Sequence, residues 1–341
     1  MRRGFAGPLS RCLLLAFALA NAAASDADIQ AVVSEVSESE YTACQKNIEG
    51  MGLGSYSGPA YNQKRRGRRW RKPAGDLGNQ EARQYLADKL KALALNVGIQ
   101  GRFLNVVAEV RGAKAPERIY IVCAHYDTAS SNVPGGDDNA SGTAGVLEAA
   151  RVLSQHSFEC TIRFICYNAE EDDASGSSDY VEKAVKAGKE NVAGVVNLDM
   201  IVHPRHDNNP DFSMAVGVST ARRHKLSKDW AWKFIAAAKK FVPDLAVDSG
   251  SPFLDKDSDD ASFADEDYPA LSLSEDAADE GALANSHYHS SQDASDRAAG
   301  AHYDYAFATR VVKAAVALVA QEAGLVGPVE HKASASNHNG K

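Results

Sequence analysis

Two hydrophobic periodicities alternate along the chain. Short, nearly continuous apolar runs, such as residues 161–167 and 192–198, are typical of strands that are buried on both faces of a sheet. Between such runs, apolar residues recur every three or four positions, as in residues 79–95, which is typical of a helix with one buried face. The chain is therefore expected to alternate between strands and helices.

The pattern predicts six strands and five helices. The strands are expected at residues 103–110, 118–124, 161–167, 192–198, 212–218 and 270–273, and the helices at about 79–95, 141–153, 175–187, 228–242 and 303–323. This alternation predicts an α/β fold, a three-layer α/β/α domain with a mixed, mostly parallel central sheet. The turn-rich segment 112–116 predicts a hairpin between the first two strands and hence an antiparallel edge.

The first 25 residues have the pattern of a secretory signal peptide. Arg2 and Arg3 precede the apolar run 12–20, and small residues follow at 21–25. A buried helix is the alternative, but the apolar run is too short to span a bilayer. We expect residues 1–25 to be cleaved and the protein to be secreted or periplasmic, without stable membrane insertion.

The chain can form one large core, since 44% of all 341 residues are hydrophobic and 24% are charged. We divide it into an N-terminal segment with a basic loop (26–77), a main domain (78–325) and a disordered tail (326–341). The basic run 64–72 is expected to be a solvated loop, with a role at the rim of the site or in processing as alternatives. A net charge of −8 argues against nucleic-acid binding.

Four cysteines follow the predicted signal peptide: Cys44, Cys123, Cys160 and Cys166. Export permits disulfides, and four cysteines allow three pairings. Cys123 and Cys166 lie inside predicted core strands, where buried free thiols are expected. The pairing stays open.

Metal-binding side chains stand near the ends of several predicted strands. They are His125, Asp138, Glu170, Glu171, Asp199 and His289. In a parallel sheet the carboxyl ends of the strands meet at one edge, so the fold would bring these residues together. Two histidines with several carboxylates favour zinc, and a carboxylate can bridge two ions. The set predicts a metal-dependent hydrolase.

Each candidate also has a structural alternative. His125 could be a buried core histidine, and Asp137 or Asp138 could cap the following helix. Glu170 and Glu171 could form a surface acidic pair. His287 competes with His289 for the same position.

Five stretches in this order resemble the zinc-dependent M28 aminopeptidase family over about residues 78–296. They are 124–127 (Ala-His-Tyr-Asp), 135–142 (Gly-Gly-Asp-Asp-Asn-Ala-Ser-Gly), 169–171 (Ala-Glu-Glu), 197–201 (Asn-Leu-Asp-Met-Ile) and 288–293 (Tyr-His-Ser-Ser-Gln-Asp). The resemblance implies a zinc exopeptidase-like fold for residues 78–325 and two Zn²⁺ per chain. It assigns His125 and Asp199 to one zinc, Glu171 and His289 to the other, and Asp138 to both as the bridge.

The resemblance further implies that Glu170 is the general base. Asp127, two residues after His125, is placed to accept a hydrogen bond from the other ring nitrogen of that histidine. Tyr288 is a candidate donor to the oxyanion. Together these roles imply a monomeric aminopeptidase that acts on peptides with a free N-terminus.

Two features leave room for other functions. Asp260 stands where the family commonly has a histidine, which affects the polarity of the pocket. Related sequences include carboxypeptidases and glutaminyl cyclases, and the cyclases typically use one zinc for intramolecular acyl transfer. A metal-free binding domain on the same scaffold would be expected to have lost ligands or the base, whereas this sequence keeps them all.

Overall fold

The computed structural model describes residues 24–51, 77–130, 133–203, 215–220, 225–248, 258–275, 287–295 and 303–329. The apolar run of the predicted signal peptide, the basic run 64–72 and the end of the predicted tail, 330–341, lie outside these residues. Helices α1–α8 span Asp26–Ser34, Glu38–Gly50, Leu77–Ala92, Ala140–Leu153, Ser175–Tyr180, Lys225–Phe241, Asp259–Ala264 and Tyr305–Glu322, and a π-helical turn, Val181–Lys186, continues α5. Strands β1–β10 span Asn96–Gln100, Asn105–Val110, Ala115–His125, His156–Phe158, Cys160–Tyr167, Asn191–Leu198, Ala215–Ser219, Ala246–Asp248, Ala270–Ser274 and Leu325–Pro328.

Eight of these strands form one mixed sheet in the order β1-β2-β5-β3-β6-β9-β7-β8. The central strands β5, β3, β6 and β9 are parallel to one another, whereas β1 and β2 at one edge, and β7 beside β9, pair antiparallel. The predicted fold class, with its mixed, mostly parallel sheet, is confirmed. Strands β4 and β10 pair separately.

The predicted hairpin between the first two strands is wrong. Strand β5 lies between β2 and β3, pairing antiparallel with β2 and parallel with β3. The connecting segment crosses the start of β5, where the backbone N–H of Gly112 donates to the hydroxyl of Thr161 and that of Ala113 to the backbone oxygen of Phe158. The antiparallel hairpin is instead made by β2 with β1, Asn96–Gln100, which lies between the predicted helix and the first predicted strand.

Side chains of the central strands alternate between two hydrophobic layers. In β3, Tyr120 and Val122 face the larger layer, which contains α1–α4, α6 and α8, while Ile119 and Ile121 face the smaller layer around α5 and α7. This alternation follows from the period of two residues in an extended strand. Both faces of the sheet are covered, as the nearly continuous apolar runs predict.

The two N-terminal helices belong to the larger layer. Ile29 and Val32 of α1 and Tyr41 and Ile48 of α2 are buried, and the helices contact α8 and α4 respectively. Ser25, placed inside the predicted signal peptide, caps α1 by accepting a hydrogen bond from the backbone N–H of Asp28. The folded part therefore begins by residue 25.

The C-terminal segment is ordered further than expected. The predicted disordered tail begins at residue 326, but residues 326–328 belong to β10, which pairs with β4 up to Pro328. None of the helices in the described part of the chain is long and apolar enough to cross a bilayer.

The four cysteines Cys44, Cys123, Cys160 and Cys166 are free and buried. The expectation of buried thiols at Cys123 and Cys166 is confirmed, and both are fully enclosed.

Candidate metal centre

Three adjacent parallel strands deliver most of the predicted ligands to one edge of the sheet. His125 is the last residue of β3, Asp199 directly follows β6, and Glu170 and Glu171 follow β5 by three and four residues. Since β3 lies between β5 and β6, these side chains converge beyond the carboxyl ends of the strands. Asp138 comes from the loop between β3 and α4, and its peptide bond to Asn139 is cis.

The backbone turns sharply where these residues leave their strands. Ala169, before Glu170, and Met200, after Asp199, have φ of 62° and 59°, and His289 has φ of 54°. Non-glycine residues adopt this left-handed conformation only where surrounding contacts hold them, and such residues cluster at functional sites. Among the described residues, three of the nine non-glycine residues with positive φ are thus a candidate site residue or its direct neighbour.

The predicted ligands form two groups that share one carboxylate. In the His125 group, Nε2 of His125 lies 3.3 Å from Oδ1 of Asp138 and 3.5 Å from Oδ1 of Asp199. In the His289 group, Nε2 of His289 lies 3.0 Å from both Oδ2 of Asp138 and Oε2 of Glu171. Asp138 therefore presents one oxygen to each group, and the ligand atoms of each group lie within 4.8 Å of one another.

These spacings fit zinc. Nitrogen and oxygen ligands of a tetrahedral zinc ion lie 2.0–2.2 Å from the metal, which places them about 3.4 Å from one another. In addition, Oδ1 of Asp199 and Oε1 of Glu171 are buried without a hydrogen-bond partner. A buried carboxylate oxygen without a partner is unfavourable, and a cation would supply the interaction that these oxygens lack.

The imidazoles and carboxylates of the centre shift one another's pKa values. Burial alone would raise the pKa of Asp138, but hydrogen bonds to His125 and His289 hold it well below its usual range. Burial opposes the charge of His289, yet contacts with Asp138 and Glu171 raise its pKa to about 10. Burial, with the charge of Asp138, raises the pKa of Glu171 to about 7. The centre is thus built to hold positive charge.

Glu170 belongs to neither group. Its Oε2 lies 3.8 Å from Nε2 of His125, so it lies beside the His125 group but is not one of its members. Burial, reinforced by the charge of Asp199 and opposed by His125, raises the pKa of Glu170 well above its usual value. A carboxyl group in such surroundings is suited to holding a proton during a reaction.

Asp127 contacts both His125 and the two glutamates. Its backbone oxygen lies 3.1 Å from Nδ1 of His125, while its Oδ1 is more distant at 3.5 Å. The nearer partner of the ring is therefore the backbone oxygen and not the carboxylate named in the prediction. The carboxylate accepts the backbone N–H groups of Glu170 (3.1 Å) and Glu171 (3.3 Å). Asp127 thereby fixes the backbone of the segment after β5 that carries both glutamates.

Tyr288 stacks on the neighbouring ligand. Its ring centroid lies 3.7 Å from that of His289, with 20° between the ring planes. Burial and the charges of Asp138 and Glu171 raise the pKa of Tyr288 well above its usual value. Its hydroxyl therefore keeps its proton near neutral pH and remains a hydrogen-bond donor.

The contacts bear on two of the alternatives that the sequence leaves open, the cap of α4 and the choice between His287 and His289. Neither Asp137 nor Asp138 caps α4; the side chain of Asn139 does so by accepting the N–H of Gly142 at 2.8 Å. The amide of Asn139 also donates to the backbone oxygen of Leu198 at 2.9 Å, which ties the two ligand-bearing loops together. Among the described residues, the two metal groups contain His289 and do not contain His287.

Several residues that the sequence reasoning did not assign border the site. Ser258 donates to Oδ2 of Asp199 at 2.8 Å, and Asn197 donates to Ser258 at 2.9 Å. Asp259 and Asp260 of α7 are fully buried behind them, and burial raises the pKa of Asp259 to about 7. The acidic composition of this segment is visible in the sequence. Its position behind Asp199 is not, because that depends on how α7 packs on the sheet.

Comparison with known proteins agrees with this geometry. The family model for peptidase family M28 matches residues 105–312, which include both metal groups. A probable zinc metalloprotease of Leptosphaeria maculans is 31% identical over 206 residues. That match covers 52% of this chain and 44% of the relative, so the matched region is less than half of that protein.

Solved structures show the same fold. The LapA aminopeptidase of Legionella pneumophila superposes with a TM-score of 0.70 at 21% identity, covering 93% of this chain and 77% of that chain. A glutaminyl cyclase of Porphyromonas gingivalis superposes with a TM-score of 0.59 at 17% identity, covering 84% and 99%. With a family match that spans most of the central sheet and all five ligand positions, the chain belongs to peptidase family M28.

Proposed function

We propose that this protein is a dizinc aminopeptidase that removes N-terminal residues from peptides. The observation that carries the proposal is the position of Asp138, whose two oxygens belong to two different groups of candidate ligands. A carboxylate shared in this way is what a two-metal hydrolytic centre requires. The names of the zinc metalloprotease and aminopeptidase relatives support the same reading.

His125 and Asp199 would hold one zinc, Glu171 and His289 the other, and Asp138 both. When bound, the zinc ions would polarise the scissile carbonyl and make an attacking water more acidic. The two fully buried oxygens of Asp199 and Glu171 would thereby gain partners. Because His289 is the most exposed of the ligands, with 37% of its side chain accessible, substrate would approach from its side.

Glu170 would act as the general base. Its carboxylate takes a proton from the attacking water as the new C–O bond forms, and it returns that proton to the amide nitrogen as the C–N bond breaks. The hydrogen bond from its backbone N–H to Asp127 fixes the segment from which it projects. The hydroxyl of Tyr288 would donate a hydrogen bond to the oxyanion.

The acidic character of the centre favours substrates with a free α-amine. The side chains of Glu170, Asp199 and Glu171 are 14%, 17% and 9% exposed, and an ammonium group beside them would be attracted by their charge. We therefore expect peptides with a free N-terminus as substrates. The signal-like pattern of residues 1–25 supports a secreted or periplasmic protein, and we expect a monomer.

Product analysis on three matched peptides tests this function. The first has a free N-terminal leucine, the second is the same peptide with an acetylated N-terminus, and the third begins with glutamine. The proposal predicts zinc-dependent release of leucine from the first peptide and no reaction of the second. Loss of C-terminal residues would make the protein a carboxypeptidase, and pyroglutamate formation from the third peptide without leucine release would make it a cyclase.

A further inference from the structure

Three consecutive backbone N–H groups of the loop that carries Asp138 are bonded to one residue, Asp293. The N–H of Gly136 donates to the backbone oxygen of Asp293 at 3.0 Å. The N–H groups of Asp137 and Asp138 donate to its Oδ1 and Oδ2 at 3.0 and 3.1 Å, and the hydroxyl of Tyr303 donates to Oδ1 at 2.7 Å. Asp293 is only 1% exposed. A buried residue that accepts four hydrogen bonds, three of them from this loop, holds the loop firmly.

The same residue belongs to the turn that supplies His289. The backbone N–H of Asp293 donates to the oxygen of Ser290 at 3.2 Å, and that of Ser290 donates to the oxygen of His287 at 3.0 Å. The hydroxyl of Ser290 also donates to His287, at 2.7 Å. Asp293 therefore connects the loop of Asp138 to a hydrogen-bonded turn, residues 287–293, that contains His289.

Helix α2 also contacts both segments. Gln45 donates to the backbone oxygen of Gly136 at 2.7 Å. Glu49 accepts the backbone N–H of Ser295 at 2.9 Å and its hydroxyl at 3.1 Å. The two segments joined by Asp293 are thus also fixed to the core, so a change at Asp293 is expected to act locally.

We propose that Asp293 is a positioning residue for zinc in the His289 group. It holds the Asp138 loop and the His289 turn together, with Oδ2 of Asp138 and Nε2 of His289 3.0 Å apart. Ligands that are held in place by surrounding hydrogen bonds lose less freedom on binding and bind metal more tightly. The inference rests on the dizinc function proposed above.

Zinc affinity of Asp293→Asn tests this role. The substitution keeps the shape of the side chain but turns an NH₂ group towards one of the two backbone N–H donors, so one of those bonds is lost. We expect the dissociation constant of the more weakly bound zinc, measured by competition with a chelator, to rise by about 10- to 100-fold. Gln292→Ala, an exposed neighbour in the same turn, is the matched control and should bind both ions like the wild type.

The thermal stability of the metal-free variant separates positioning from a merely structural role. If Asp293 had only a structural role, Asp293→Asn would lower the melting temperature and leave the zinc affinity unchanged. That result would overturn the inference. If Asp293→Asn does not fold, Tyr303→Phe decides, because it frees Oδ1 from the hydroxyl but leaves both backbone bonds in place. A several-fold weaker second zinc in Tyr303→Phe supports the inference, and unchanged affinity overturns it. Failure of the wild type to bind two zinc ions would instead refute the proposed function.

Discussion

Glu170 and Glu171 are adjacent in sequence but face different partners. Oε2 of Glu171 lies 3.0 Å from Nε2 of His289, whereas Oε2 of Glu170 lies 3.8 Å from Nε2 of His125 and outside both metal groups. Both residues follow the left-handed Ala169 in the turn after β5, and there their side chains point to different partners. One glutamate can therefore bind metal while the other remains available for proton transfer.

This divergence predicts opposite consequences for two matched substitutions. Glu170→Gln should keep both zinc ions and lower kcat by about 10²- to 10⁴-fold, because it removes a proton acceptor and no ligand. Glu171→Gln should weaken the zinc of the His289 group by on the order of 100-fold or more, since a ligand matters at least as much as its supporting contacts. Metal analysis and steady-state kinetics on both variants check this. Near-normal turnover by Glu170→Gln would refute its role as the base.

Zinc binding through Asp138 should raise the melting temperature of the protein. If Asp138 bridges both ions, the melting temperature of the wild type should rise with zinc concentration, because a ligand that binds only the folded state stabilises it. Asp138→Ala should show no such rise at the same zinc concentrations, and it should also be less stable without metal, since two imidazoles lose their common carboxylate. Differential scanning calorimetry with and without zinc makes the comparison. An equal rise in both proteins would exclude the bridge.

The N-terminal helices should be required for folding. Ile48 of α2 is fully buried in the larger layer, and Ile48→Ala should lower the free energy of unfolding by about 2–5 kcal/mol. Asn47→Ala, at the exposed neighbouring position, should change it by less than about 0.5 kcal/mol. Denaturant unfolding measures both values. If Ile48→Ala were as stable as the wild type, residues 26–50 would be dispensable, as expected of a removable propeptide.

The raised pKa of Tyr180 should make the free energy of unfolding fall at high pH. Its hydroxyl accepts a hydrogen bond from Arg163 at 2.6 Å, and burial raises the pKa of Tyr180 to about 12. Between pH 10 and 12 the unfolded chain releases this proton while the folded protein keeps it, so the free energy of unfolding falls by up to about 1.4 kcal/mol per pH unit. Below pH 10 both states keep the proton and the contribution is constant.

Tyr180→Phe isolates that contribution. At pH 8 the variant should be less stable than the wild type by about 1 kcal/mol, because Arg163 loses a partner. This deficit should shrink as the pH rises from 10 to 12, since the variant has no proton to lose at this position. Urea unfolding at several pH values gives the difference directly, and a deficit that stays constant or grows would contradict the assigned shift.

Much of the site could be predicted because its ligands follow strongly apolar strands. His125 is the last residue of β3 and Asp199 directly follows β6. The buried runs of both strands are evident in the sequence, and a parallel sheet brings such ends together. The order of the strands could not be predicted in the same way. A turn-rich segment such as 112–116 suits a hairpin, but it equally suits a connection that crosses β5, and only contacts with residues 158–161 distinguish the two.

The residues that support the ligands were harder to find. Asn139, Asp293 and Ser258 act through contacts with residues 59 to 155 positions away, which leave no local pattern. Helix α1 is a different case, because Ile29, Val32, Val33 and Val36 have helical spacing that the sequence reasoning did not use.

The most direct test of the central claim is a zinc titration of the metal-free protein, with release of leucine from a leucyl peptide measured at each step. A centre in which Asp138 serves two ions predicts that activity rises until two equivalents of zinc per chain are bound and then levels off. Full leucine release at one equivalent, with no second ion bound, would contradict the two-metal account.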